Sequence, residues 1–169
     1  MEGFFVIFTM MRILYYALAI AACFVLGYSL NEFFFRYSKS LLVLGIVPLE
    51  NRTIQDKDIG AIVLGLAFGL LPLFHLLMVK ASKLNTAIKH SLSMALVLTS
   101  GLIFWRLRIF GLNTELKQLN DYIASNKLPL TPVAVTDLKF DIYLLMGFLV
   151  GALIAILIFR DKSAPLIRN

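Results

Sequence analysis

Two aspartate pairs, Asp56/Asp58 and Asp137/Asp141, and two histidines, His75 and His90, are the groups in this chain whose types and spacing could do chemistry. Two carboxylates that share a proton can activate water, because like charges held close together cannot both ionise. Asp58 and Asp141 stand at the starts of two apolar stretches, so a dyad made by them across a helix bundle would be the centre of an intramembrane hydrolase. The same positions have a simpler use. Each acid lies in or beside the first turn of an expected helix, where a carboxylate caps orphan amides and complements the macrodipole. Capping is the expected role, Asp58 and Asp141 are the alternative catalytic pair, and no Asn-rich flank of the kind carried by intramembrane aspartyl peptidases accompanies them.

His75 follows Pro72 by three residues, and His90 opens the next apolar stretch on the same side. Their rings can approach across the Lys80–Lys89 turn and form a b-haem or metal pair. No acidic residue on that side stands ready to orient them, and His75 is near enough to Lys80 to serve as a headgroup contact instead. They are kept as candidate ligand residues, with no cofactor and no metal expected. The single cysteine, Cys23, excludes an internal disulfide and any CxxC chemistry. HExxH, GxSxG, a P-loop, a nucleic-acid motif and an internal repeat are all missing, so the chain is not expected to be an enzyme or a nucleic-acid binder.

The elements that must position these groups are four apolar segments, at roughly Ile13–Leu30, Ile59–Val79, Ser91–Trp105 and Phe140–Phe159. A bilayer core takes about 20 such residues per crossing. Of the 169 residues, 60% are hydrophobic and 15% charged, and the mean hydropathy is +0.86. A water-soluble core of this apolarity would lack a polar surface. The expected fold is therefore all-α: a single four-transmembrane-helix bundle over residues 1–169, with short amphipathic helices in two outer loops.

Charge sets the expected orientation. Arg12, Lys80, Lys83, Lys89, Arg160, Lys162 and Arg168 lie on the side of the termini against only Glu2 and Asp161, whereas the two longer loops carry nine basic against eight acidic residues. By the positive-inside rule both termini are cytoplasmic, and the inner (plasma) membrane of a bacterium is the expected location. The net charge of +6 then faces anionic lipid rather than nucleic acid. Phe4–Met11 is apolar as well, and Arg12 would be costly at mid-membrane, by about 2.5–3.5 kcal/mol. The expected arrangement starts the span at Ile13, lets Arg12 snorkel and lays Gly3–Met11 along the interface. A true start at Met10 or Met11 gives the same picture. The run Ile20-Ala21-Ala22-Cys23 also resembles a lipoprotein processing box, although the apolar stretch continues past it, and an uncleaved first helix is expected.

Small residues recur every four positions in each span, as Ala19/Cys23/Gly27, Ala61/Gly65/Gly69, Ser91/Ala95/Thr99 and Gly147/Gly151/Ala155. Such rows let backbones approach where lipid has removed the hydrophobic drive between helices. Gly65, Gly69, Gly147 and Gly151 are the expected packing positions, inside the bundle or at a homodimer seam. Pro72 cannot donate to the Phe68 carbonyl, which predicts a kink around Gly69–Pro72. In the loops, Phe33–Pro48 reads as an interfacial segment broken by Arg36 and Lys39. Asn113–Ser125 reads as a short amphipathic helix with Leu116, Leu119, Tyr122 and Ile123 on one side, followed by an extended exit through Pro129 and Pro132. Leu116, Leu119 and Ile123 are the candidate partner-docking face, and a lid on the bundle is the plainer use of the same stripe. Asn51-Arg52-Thr53 matches a glycosylation sequon.

Ion-coupled carriers and voltage sensors place charges within the hydrocarbon layer, and spans two to four contain only His75. Three function classes remain. The first is a non-catalytic accessory or scaffold subunit of a larger membrane assembly, with a membrane-protein partner or a homo-oligomer as its associate. The others are a small homo-oligomeric pore or lipid-handling transporter, and a hydrolase with an aspartate pair at the outer face.

Overall fold

The computed structural model describes residues 2–82, 87–126 and 132–159. Five α-helices carry the chain: α1 (Glu2–Ser40), α2 (Ile54–Gly69), α3 (Leu71–Ser82), α4 (Ala87–Asn126) and α5 (Phe140–Phe159), with a 3-10 turn over Val135–Asp137 before α5. Four stretches, Ile13–Ser40, Ile54–Val79, His90–Asn126 and Val135–Phe159, are long and apolar enough to cross a membrane. The protein is an all-α four-helix membrane bundle.

The second span is built from two helices, as Pro72 requires. The Leu70 amide donates to the Leu66 carbonyl at 2.9 Å and the Phe74 amide to the Leu70 carbonyl at 2.9 Å. These bonds carry the ladder up to and away from the one-residue break at Leu70, which lies within the stretch that the missing Pro72 donor marks.

Helix lengths differ from the sequence expectation. Gly3–Met11 does not form a separate interfacial piece, because α1 runs without interruption from Glu2 to Ser40. The Arg12 side chain, Pro129, Lys83 and the basic tail carrying Arg160, Lys162 and Arg168 lie outside the described residues. Asn31–Ser40, expected in an outer loop, is the last part of α1, and Asn113–Ser125 is the last part of α4 rather than a helix of its own. At 1.5 Å per residue, α1 and α4 are each about 60 Å long, roughly twice the hydrocarbon thickness. Both therefore project beyond the bilayer at the end of the bundle that carries residues 41–53 and 132–139.

That projection is held by side chains facing inward. Trp105 (α4) donates its indole N–H to Ser38 Oγ at 2.9 Å, and Ser38, fully buried, donates to the Phe34 carbonyl at 2.8 Å. The Phe34 and Tyr37 rings flank Trp105 at 5.9 and 6.0 Å. From Trp105 onward, Ile109, Leu112, Leu116 and Ile123 recur on one face of α4 and are buried in the same core as Leu42 and Val47 of the first connection. The two connections also pair with each other, through Glu50 N–H to Val133 O and Val133 N–H to Pro48 O, both 3.0 Å.

Within the membrane the closest pairs are α1 with α2 and α4 with α5, and glycine sets both seams. A Cβ on Gly27 would lie 2.7 Å from Leu64 O, and one on Gly65 would meet the Phe24 ring at 2.9 Å. A Cβ on Gly147 would lie 2.7 Å from both Gly101 Cα and Ser100 O, and one on Gly151 would lie 2.7 Å from Ser100 Cβ. Gly69 is less crowded, with Phe24 Cβ at 3.3 Å. Both GxxxG rows thus serve packing inside the bundle.

Candidate functional site

The sequence-derived candidates separate into two ends of the bundle. At the connection end, Asp58 is exposed on the first turns of α2, whereas Asp141 at the start of α5 lines a cavity that Asp58 does not reach. The expected alternative dyad, Asp58 with Asp141, is not assembled. Helix phase is the reason: Asp58 is two residues from Gly60, the residue of α2 that faces Asp141, and two residues rotate a helix by about 200°. Asp56 is the acid of α2 that lines the cavity, and it is engaged as a cap. Its amide donates to Thr53 Oγ1 at 3.2 Å while its Oδ2 accepts from the Thr53 amide at 3.0 Å, a complete capping box. Asp141 stands in the first turn of α5, where a carboxylate complements the helix dipole. Capping therefore accounts for Asp56.

The cavity, about 160 Å³, is lined by Asn31, Phe34 and Phe35 of α1, Arg52, Asp56, Ile59 and Gly60 around the start of α2, and Val135, Thr136 and residues 139–142. Arg52 dominates it. Its side chain is 10% exposed and its guanidinium lies over the Phe35 ring, 4.2 Å from the centroid. Nη2 donates to the Asp56 carbonyl at 3.2 Å. Nη1 is buried, makes no hydrogen bond, and stands 3.6 Å from Glu32 Oε2, an ion-pair distance too long for a hydrogen bond. Glu32 is itself 45% exposed and shared with Arg36. A desolvated cation with this little direct compensation is costly to hold.

Gly60 is the floor beneath these groups. A side chain there would run into the Arg52 guanidinium and would have its Cβ 3.3 Å from Asn31 Oδ1 and 3.5 Å from Asp141 Oδ2. Asn31, 5% exposed, donates its amide to Lys57 O at 3.2 Å, which leaves its carbonyl oxygen toward the cavity. Lys139 lines the same space and holds φ 52°, a left-handed conformation that costs an L side chain about 1–2 kcal/mol. Nearby, Arg108 of α4 fastens the turn before α5, donating to the Asp137 and Leu138 carbonyls at 2.6 and 3.1 Å. Arg52, Asn31 and Gly60 escaped sequence reasoning. The available signal was Gly60, a glycine adjacent to the Ala61/Gly65/Gly69 row but not part of it.

At the opposite end, His75 and His90 do meet, with ring centroids 5.5 Å apart and planes inclined by 38°. Both are half-buried. Among the described residues no group of three or more His, Cys, Asp or Glu is placed to hold a metal ion, and two imidazoles fall short of the four donors of a closed zinc site. Cys23 sits half-buried in the middle of α1.

The candidate docking stripe is occupied by the chain itself. Leu116 and Ile123 are 4 and 6% exposed, and Leu119 is partly buried against the same core. The correction follows from the continuity of α4: a stripe in phase with Trp105 and Ile109 faces the same core that they do. It covers the first connection, as the lid reading of that stripe requires.

No protein-family model, no curated protein and no solved structure matches the chain.

Proposed function

We propose that this small integral membrane protein is a non-catalytic accessory or scaffold subunit of a larger membrane assembly, joined to its partner through α1. One observation carries the reading. In the most apolar 18-residue stretch of each span, 39, 28 and 33% of residues are buried for the second, third and fourth spans, against 6% for α1. The face of α1 that meets α2 is spent on Phe24 and Gly27. The other side, with Leu18, Ala22, Leu26 and Phe33, is open along the membrane and beyond it. A helix length of about 60 Å offers a partner contact in the bilayer and above it. The partner is a second membrane protein that contributes an apolar helix, packed by close contact rather than by the hydrophobic effect. The reading places both termini in the cytoplasm and the protein in a bacterial inner membrane, on the charge asymmetry alone.

The test is native mass spectrometry of the complex purified in mild detergent from its host. A stoichiometric second membrane subunit is expected, and Ala22→Phe combined with Leu26→Ala is expected to cut its recovery ten-fold or more while leaving the thermal unfolding of this chain unchanged. A monomer or homo-oligomer carrying only lipid would overturn the subunit reading.

A further inference from the structure

We propose that the Arg52 cavity is a binding site for the headgroup of a zwitterionic aminophospholipid, with the phosphate at Arg52 and the ammonium at Asp141 and Asn31. Arg52 supplies the first half of the argument. Its side chain is nine-tenths buried and lines the cavity, while Nη1, 3.6 Å from Glu32 Oε2, makes no hydrogen bond. A guanidinium offers a planar fork of donors suited to phosphate oxygens, and among the described residues this one spends a hydrogen bond only on the Asp56 carbonyl. Lys139 on the exposed rim adds a second cation.

Charge balance supplies the second half. The lining carries two cations, Arg52 and Lys139, and two anions, Asp56 and Asp141. A simple anion would find attraction and repulsion nearly cancelled, whereas a ligand bearing both signs can use each. The acceptors are on hand: Asn31 Oδ1 and Asp141 Oδ2 both approach the Gly60 position, next to the guanidinium. Among the described residues Arg52 makes its ion pair with Glu32 and none with Asp141, so direct contact does not cancel the two cavity charges against each other. The absence of a side chain at Gly60 is what lets the guanidinium lie against α2 beside these acceptors.

The rim identifies the ligand as a lipid rather than a free zwitterion. Ile59 and Ile142 both line the cavity and are 53 and 41% exposed, next to spans that face hydrocarbon, while Thr136 and Lys139 line it and are also exposed. One side of the mouth is therefore apolar and the other polar, matching a molecule whose headgroup enters while its chains remain in the bilayer. At about 30 Å³ per liquid water, 160 Å³ is the room of roughly five waters, enough for a phosphate, a two-carbon spacer and an ammonium.

The experiment uses the full chain in delipidated detergent micelles, titrated by native mass spectrometry with diacyl phosphatidylethanolamine, diacyl phosphatidylglycerol and free phosphoethanolamine. Phosphatidylethanolamine is expected to bind at least ten-fold more tightly than phosphatidylglycerol, which has the phosphate but no ammonium. Arg52→Gln should weaken both lipids ten-fold or more, and Asp141→Asn should erase the preference between them. Because Arg52 also braces Phe35 and Asp56, Gly60→Ala serves as the second variant. It retains every charge while its Cβ pushes the guanidinium from its seat, and it should lower phosphatidylethanolamine binding in a chain whose helical content and melting are checked by circular dichroism. Equal affinity for the two lipids in the wild type, or unchanged binding in folded Arg52→Gln and Gly60→Ala, would overturn the proposal. So would free phosphoethanolamine binding as tightly as the diacyl lipid, since it would assign the cavity to a soluble ligand.

Discussion

Gly147→Leu is expected to break the α4–α5 hairpin and leave a chain that keeps its helices but loses their packing. The reason is what lies opposite. A Cβ at Gly147 would sit 2.7 Å from Gly101 Cα and from Ser100 O, both backbone atoms of α4, which cannot rotate away as a side chain can. Even Gly147→Ala forces the two helices apart, at a cost of about 1–3 kcal/mol by the measure of overpacked cores. Separation also loosens Gly151, whose nearest neighbours are Ser100 Cβ and Val97 Cα on the same face. Lipid gives no hydrophobic drive to restore the contact, because close approach is itself the attraction between such helices. Gly111→Ala is the matched control, since nothing lies within 4 Å of its Cβ position. Reversible unfolding in mixed micelles should show Gly147→Ala destabilised, Gly147→Leu without a cooperative transition, and Gly111→Ala equal to or above the wild type. A cooperative transition of wild-type midpoint in Gly147→Leu would mean that this seam does not hold the hairpin together.

The membrane part of this fold was legible in the sequence because its determinants are local. Apolar runs report spans by length, Pro72 reports a kink by a missing donor, and the rows of small residues at Gly65/Gly69 and Gly147/Gly151 report close approach. What escaped were the continuations of α1 and α4. Asn31 and Glu32 after one run, and Arg106 through Asn113 after another, read as loop because polarity rises there. A lone glycine such as Gly111 costs a helix only about 1 kcal/mol, and an apolar stripe that stays in phase from Trp105 to Ile123 more than offsets it. The same error made Leu116 and Ile123 look like a free face. A stripe that continues one helix faces what that helix already faces.

The cavity was illegible for a different reason. Asn31, Arg52, Gly60 and Asp141 come from three helices and a connection, and no spacing within the sequence relates them. Of the two acids that sequence reasoning paired, Asp141 lines the cavity and Asp58 does not. Pairing acids by their position along the chain ignores helix phase, which turns Asp58 out to solvent and brings Gly60 inward. The group beside Asp141 in the cavity is a cation, Arg52, rather than Asp58.

Asn113→Ala with Asn120→Ala is expected to release the first connection from α4 while the membrane helices stay in place. The two asparagines stand two turns apart on α4 and grip the passing backbone with both ends of their amides. Asn113 accepts from the Val43 amide at 2.8 Å and donates to Leu41 O at 3.2 Å. Asn120 accepts from the Ile46 amide at 2.9 Å and donates to Leu44 O at 3.0 Å. At a net ~0.5–1.5 kcal/mol per hydrogen bond, the four contacts are worth about 2–6 kcal/mol, and the double variant forfeits them all. Hydrogen exchange should then speed up ten-fold or more at Val43 and Ile46 and stay unchanged in α2 and α5. Gly45→Ala should give the same result by another route. Gly45 holds φ +60°, and a Cβ there would lie 2.7 Å from the Asn120 amide nitrogen, so the substitution strains the turn and displaces its clamp together. If both variants left exchange at Val43 and Ile46 unaltered, the connection would be held by its buried side chains, Leu42 and Val47, against the apolar stripe of α4. The asparagines would then serve only to choose its register.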